Sequence, residues 1–148
     1  MLKPDDVTAT ILVVDDDPAA LYLINKALKK INPQDRIYNT SDGTETLAFL
    51  RKEGRFAQMP TPDLVLLDWN LPKIHGRDVM ASVNADQRLR QIPVVIITTS
   101  KSERDREEAM SLQAAGFKVK EMDFYLFTED LRTIRNYHLG LLKEEDES

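Results

Sequence analysis

The run Leu64-Val65-Leu66-Leu67-Asp68-Trp69-Asn70-Leu71-Pro72 sets four apolar residues directly before an aspartate, with a proline close behind. A short, unalternating apolar run bounded by turn residues reads as a strand buried on both faces. Pro62 and Asp63 before it, and Asp68 after it, favour the strand over a buried helical segment. At the carboxyl end of a central parallel strand, Asp68 would stand where open α/β sheets bind their ligands. A carboxylate there is a metal ligand, a nucleophile or a cap for the next helix.

Working outward, Ile11-Leu12-Val13-Val14 is a second continuous run, ending in Asp15-Asp16-Asp17. Asp17 suits an N-cap and Pro18 a first helical residue, and Leu21, Ile24, Ala27, Leu28 and Ile31 follow at helical spacing. Residues 36–39 form a short strand, and Ser41-Asp42-Gly43 opens a helix that Gly54 ends. After Pro72 a helix carries Val79, Met80 and Val83; residues 92–98 are a β-branched strand ending at Thr98. Residues 103–115 read as a helix with Gly116 as its C-cap, and residues 117–120 as a strand ending at Lys120. Thr128 reads as the cap of a last helix, with Leu131, Ile134, His138 and Leu141 on one stripe. Strand and helix thus alternate five times. That pattern predicts a flavodoxin-like (βα)5 fold, a doubly wound parallel α/β sheet in the order 2-1-3-4-5.

The 148 residues suit one domain, with a core over 9–142 and an acidic tail at 143–148. Cysteine is absent, which excludes disulfides and Cys-based zinc sites. No signal peptide is evident, and the apolar runs are too short to cross a bilayer; the expectation is a cytoplasmic chain with no membrane partner. A net charge of −5 argues against nucleic acid.

In the expected order, Asp15, Asp16 and Asp68 meet at neighbouring strand ends. Three close carboxylates repel one another, and a hard cation such as Mg²⁺ resolves this. Thr98 and Lys120 flank Asp68 from the ends of strands four and five. Together these groups suit a phosphoryl group on Asp68, with a carboxylate nucleophile, a metal, a hydroxyl and a lysine.

With these residues in place, the chain resembles the receiver domain of two-component response regulators over nearly its whole length. The resemblance implies that Asp68 accepts a phosphoryl group from a sensor histidine kinase. It implies that Asp16, Asp68 and the Asn70 backbone carbonyl bind Mg²⁺, with Asp15 acting mostly through water. It makes Thr98 the switch hydroxyl, Lys120 the phosphoryl-binding lysine and Phe117 the aromatic that follows the threonine. The chain would then be a self-phosphorylating acceptor with slow dephosphorylation, not an enzyme. Asp-Trp-Asn-Leu-Pro with Thr-Thr-Ser is similar to the stand-alone regulators that partner bacteriophytochromes.

Glu121 replaces the family's usual proline, so a cis bond after Lys120 is not expected. His75 stands where an aspartate often precedes the glycine and reads as a surface loop residue. Trp69 is placed on the pocket rim. Leu139, Leu141 and Leu142 would extend the last helix past the sheet and support a homodimer. Two rival readings are a Mg²⁺-dependent aspartyl phosphohydrolase and a pseudo-receiver that binds partners without phosphorylation. The first is disfavoured by Asn70, which cannot act as a general acid.

Overall fold

Alternation of apolar strands with amphipathic helices gives the expected parallel sheet. The structure, a computed structural model, describes residues 7–141; Leu142 and the acidic tail lie outside the described residues. The strands are β1 (Thr10–Val14), β2 (Arg36–Thr40), β3 (Leu64–Leu67), β4 (Val94–Thr98) and β5 (Gly116–Val119). The helices are α1 (Pro18–Ile31), α2 (Gly43–Arg51), α3 (Gly76–Ala85), α4 (Glu103–Ser111) and α5 (Phe124–His138). All strand pairs are parallel, in the order β2-β1-β3-β4-β5.

The two-residue period of a strand splits its side chains between the faces of the sheet. Leu12, Val14, Val65, Leu67 and Ile96 pack beneath α2, α3 and α4, whereas Ile11, Val13, Leu64, Leu66 and Ile97 pack beneath α1 and α5. Every residue of β1 after Thr10, and every residue of β3 and β4, is buried. This explains why those runs show no polar alternation. The register sets Val14 beside Leu67 and Thr98 beside Val119, so the next residues along the chain emerge together at one sheet end.

Asp17 caps α1, accepting from the Ala19 N–H, and Asp42 caps α2, accepting from the Glu45 N–H at 2.7 Å. Three boundaries differ from the sequence reading. The helix α2 ends at Arg51, where Lys52 adopts the left-handed conformation (φ 58°), so Gly54 is not its terminator and opens a short 3-10 turn instead. The helix α4 stops at Ser111, and Gln113 takes the positive φ (72°) expected of a glycine cap. The Ala115 N–H then bonds to the Val94 carbonyl at 2.7 Å, which draws Gly116 into β5. The helix α5 begins at Phe124, four residues before Thr128, and is capped by Asp123, whose carboxylate accepts from the Leu126 N–H at 3.0 Å. Thr128 is buried inside the helix with its hydroxyl donating to the Phe124 carbonyl. Asp123→Ala should therefore lower stability by about 0.5–2 kcal/mol in urea unfolding, the usual cost of a lost cap.

The carboxyl end of α5 also departs from expectation. The helix stops at His138, and Gly140 takes a φ of 73°. Leu139 folds back against the core beneath α1 and α5. No helical turn projects past the sheet through Leu139 and Leu141; Leu142 lies outside the described residues.

A buried ion pair fixes this corner. The Arg135 guanidinium donates to both oxygens of Asp35, at 2.6 and 2.9 Å, and also to the Val7 carbonyl at 2.7 Å. Asp35 accepts the Ala9 N–H at 2.9 Å as well. Arg135 and Asp35 are 1% and 2% exposed, so this is a fully desolvated pair joining α5, the α1–β2 turn and the start of β1.

Candidate functional site

Four of the five strands hand groups to the sheet's carboxyl end. Asp15 and Asp16 follow β1, Asp68 follows β3, Thr98 ends β4 and Lys120 follows β5. Backbone bonds hold these ends in line: Asp68 N–H to the Val14 carbonyl at 2.9 Å, and Lys120 N–H to the Thr98 carbonyl at 2.8 Å. Asp15, Asp16 and Asp68 each present one carboxylate oxygen, all within 4.8 Å of one another. The cluster predicted from the sequence is thus assembled in space.

The two adjacent acids are not equivalent. Asp15 is 1% exposed and pairs with the Lys120 ammonium at 2.6 Å, whereas Asp16 faces solvent. One lysine faces three carboxylates, so the cluster keeps a negative excess. An all-oxygen, negatively charged donor set of this kind fits a hard divalent cation that retains several waters.

Asp68 itself is buried. Burial raises its pKa above the ordinary carboxylate range; Lys120 opposes this and Asp15 adds to it. The nearby Thr98 hydroxyl and Asn70 N–H act in the lowering direction. Thr98 is wholly buried and its hydroxyl oxygen also accepts from the Ser100 N–H at 3.3 Å. Phe117 is partly buried beside α4, with the Arg106 guanidinium 5.8 Å from its ring centroid. Arg106 also donates to the Phe117 carbonyl at 3.3 Å. The Lys120–Glu121 bond is trans.

Two site residues sit differently from the sequence reading. Trp69 is a core residue rather than a rim residue: it is 0% exposed and packs with Leu71, Val79 and Met80. His75 is not a bland loop residue. It is the N-cap of α3, its Nδ1 accepting from the Arg77 N–H at 2.9 Å, and its ring meets Trp69 edge-on. Burial and the neighbouring Arg77 lower its pKa. Gly76 has a steric reason: a Cβ there would lie 2.7 Å from the Trp69 carbonyl oxygen and 2.9 Å from that of Asp68. The loop that follows Asp68, residues 68–72, therefore lies directly on the first turn of α3.

The family profile described as "Response regulator receiver domain" matches residues 11–132, which contain every group of this site. The chain belongs to that family. Among relatives, this receiver is 40% identical over 95 residues to the response regulator Rcp1 of Synechocystis sp., across 64% of this chain and 65% of that protein. It thus spans a little under two thirds of that relative's length. It also resembles the crystal structure of the phosphorylated cyanobacterial phytochrome response regulator RcpA, with a TM-score of 0.86 and 33% identity over 93% of this chain and 98% of that one. The Mn²⁺-bound form of response regulator Rcp1 superposes with a TM-score of 0.80 at 30% identity, over 91% of this receiver and 97% of that chain.

Proposed function

We propose that this receiver takes a phosphoryl group onto the Asp68 carboxylate from a phosphohistidine of a sensor kinase, in a Mg²⁺-dependent reaction. The observation that carries the reading is the convergence of Asp15, Asp16 and Asp68 with Thr98 and Lys120 around one buried carboxylate. An Asp68 oxygen forms the new P–O bond as the P–N bond breaks, and the departing imidazole keeps the electron pair. Asp16, Asp68 and the Asn70 carbonyl would hold Mg²⁺, with Asp15 acting through water, and the bound cation would supply positive charge toward the phosphoryl oxygens. Lys120 turns its ammonium from Asp15 toward the new anion, and the Thr98 hydroxyl donates to it. Movement of Thr98 opens space that Phe117 follows. The altered face around α4 and β5 then carries the signal to protein partners.

Incubation with acetyl phosphate tests this. With Mg²⁺, the intact mass should rise by one phosphoryl group; with excess chelator it should not. Steady release of phosphate without any mass gain would favour the aspartyl phosphohydrolase. No reaction at all would favour the pseudo-receiver.

Thr98→Ala should still gain the phosphoryl group but lose the conformational response. Hydrogen exchange over β4 and β5, with and without a phosphoryl mimic, measures this; equal responses in both proteins refute the switch role. The reading treats the chain as a phosphoacceptor that catalyses its own transfer, not as an enzyme with a separate substrate. The likeness to RcpA, a phytochrome response regulator, supports a bacteriophytochrome-type kinase as partner, and the proposed setting for the exchange is the cytoplasm. No helix among the described residues is long and apolar enough to cross a membrane.

A homodimer through the carboxyl-terminal segment belongs to the same reading, on altered support. Leu139 is partly committed to the core, which leaves exposed Tyr137 and half-buried Leu141, with Leu142 beyond. Sedimentation of the wild type against Leu141→Glu/Leu142→Glu decides it.

A further inference from the structure

His75 is bound at three points, one on the first turn of α3 and two on the loop that follows Asp68. Its Nδ1 accepts from the Arg77 N–H at 2.9 Å, which makes it the cap of α3. A ring nitrogen that accepts carries no proton, so in the neutral ring the proton sits on Nε2. Nε2 lies 3.3 Å from the Asn70 side-chain Oδ1, and this tautomer makes it the donor. The ring also stands edge-on to the Trp69 indole, with centroids 5.3 Å apart. Asn70 stands two residues after Asp68, and a Cβ on Gly76, next to His75, would lie 2.9 Å from the Asp68 carbonyl oxygen, so the loop and the start of α3 are in close contact. A chain of contacts therefore runs from the first turn of α3, through His75, to Trp69 and Asn70 on the loop that follows Asp68.

We infer that His75 is a positioning residue for phosphoryl uptake: it holds the Asn70 side chain and the Trp69 ring, and so fixes the loop that carries Asp68 against the start of α3. The inference rests on the phosphoacceptor reading above. Capping alone does not require histidine, since serine or aspartate caps a helix well. What histidine adds is a second nitrogen on the far side of a rigid ring, able to donate to Asn70 while the first caps α3.

His75→Ser separates the two roles, because serine keeps a cap acceptor but reaches neither Asn70 nor Trp69. The thermal midpoint should stay near the wild-type value. The rate of phosphoryl uptake from acetyl phosphate at saturating Mg²⁺ should fall about tenfold, the scale on which outer partners of a site act. In metal-free protein, hydrogen exchange at the Asn70 amide should quicken, a readout independent of the reaction. Asn70→Ala should slow uptake similarly, and the double variant should be no slower than Asn70→Ala, since both changes break one link. His75→Gln, which restores a side-chain donor, should recover part of the rate. Wild-type uptake and exchange in His75→Ser overturn the inference alone, as do two substitutions whose effects multiply. A wild type that takes up no phosphoryl group overturns the phosphoacceptor reading and this inference with it.

Discussion

Asp68→Asn should abolish phosphoryl uptake entirely while leaving the protein folded. The amide has no anionic oxygen to attack phosphorus, and no neighbouring acid can substitute. Asp15 is buried against Lys120, and Asp16 lies at the solvent edge. Loss of the charge should not cost stability. The Asp68 pKa is raised in the folded state, so whatever stability its proton gives is present in acid and lost as pH rises through the folded pKa. At neutral pH its carboxylate is therefore a net burden, chiefly because it is buried, and a neutral amide removes it. Metal-free urea unfolding at pH 7 should show Asp68→Asn as stable as the wild type or more so. Intact mass after acetyl phosphate and Mg²⁺ should show no gain; a labelled variant would move the acceptor elsewhere.

Arg135→Met should have the opposite profile. It leaves the Asp35 carboxylate buried without its guanidinium and strips a donor from the Val7 carbonyl. Breaking one partner of a fully buried pair costs about 3–5 kcal/mol, much of it the uncompensated charge. Such a loss is a large fraction of a domain's net stability of about 5–15 kcal/mol. Asp35→Asn added to Arg135→Met should recover part of the loss, because the remaining group is neutral. Below its lowered melting point the variant should still take up a phosphoryl group, since the pair lies far along α5 from Asp68 in sequence and joins other elements. A cost near zero in urea unfolding would mean that water reaches the pair.

This pair also marks where the sequence stopped being legible. Arg135 falls between Leu131 and His138, and an arginine in a helix ordinarily reads as a solvated side chain. Its partner lies 100 residues away in a turn, and nothing local announces the meeting. The strands were legible because burial on both faces leaves uninterrupted apolar runs, and the order 2-1-3-4-5 follows from the alternation. The site was legible for the same reason: its groups sit directly after those runs. The helix ends were not. Asp123 and Thr128 are both credible caps, and only packing decides that the segment Phe124-Tyr125-Leu126-Phe127 turns helical and buries Phe127. Gly116 looked like a terminator, yet Gln113 takes the left-handed turn because β5 must begin early enough to pair with Val95. Trp69 next to an active carboxylate suggested the rim. Beyond β3 the chain instead turns down onto α3, and that direction is invisible in the residue order.

The two glycines beside the acceptor loop carry a lesson for anyone who would transplant it. Gly76 lies under the backbone of Asp68 and Trp69, and a Cβ on Gly43, at the start of α2, would collide with the Ile74 carbonyl and Cβ. The loop is thus wedged between the openings of two helices, one of which is more than twenty residues upstream of β3. A chimera that exchanges only the segment after β3 would bring a foreign loop contour onto a socket moulded to this one. The exchangeable unit is discontinuous: the loop, Gly76 and the Gly43 turn have to move together, or the grafted acceptor will sit on the wrong floor.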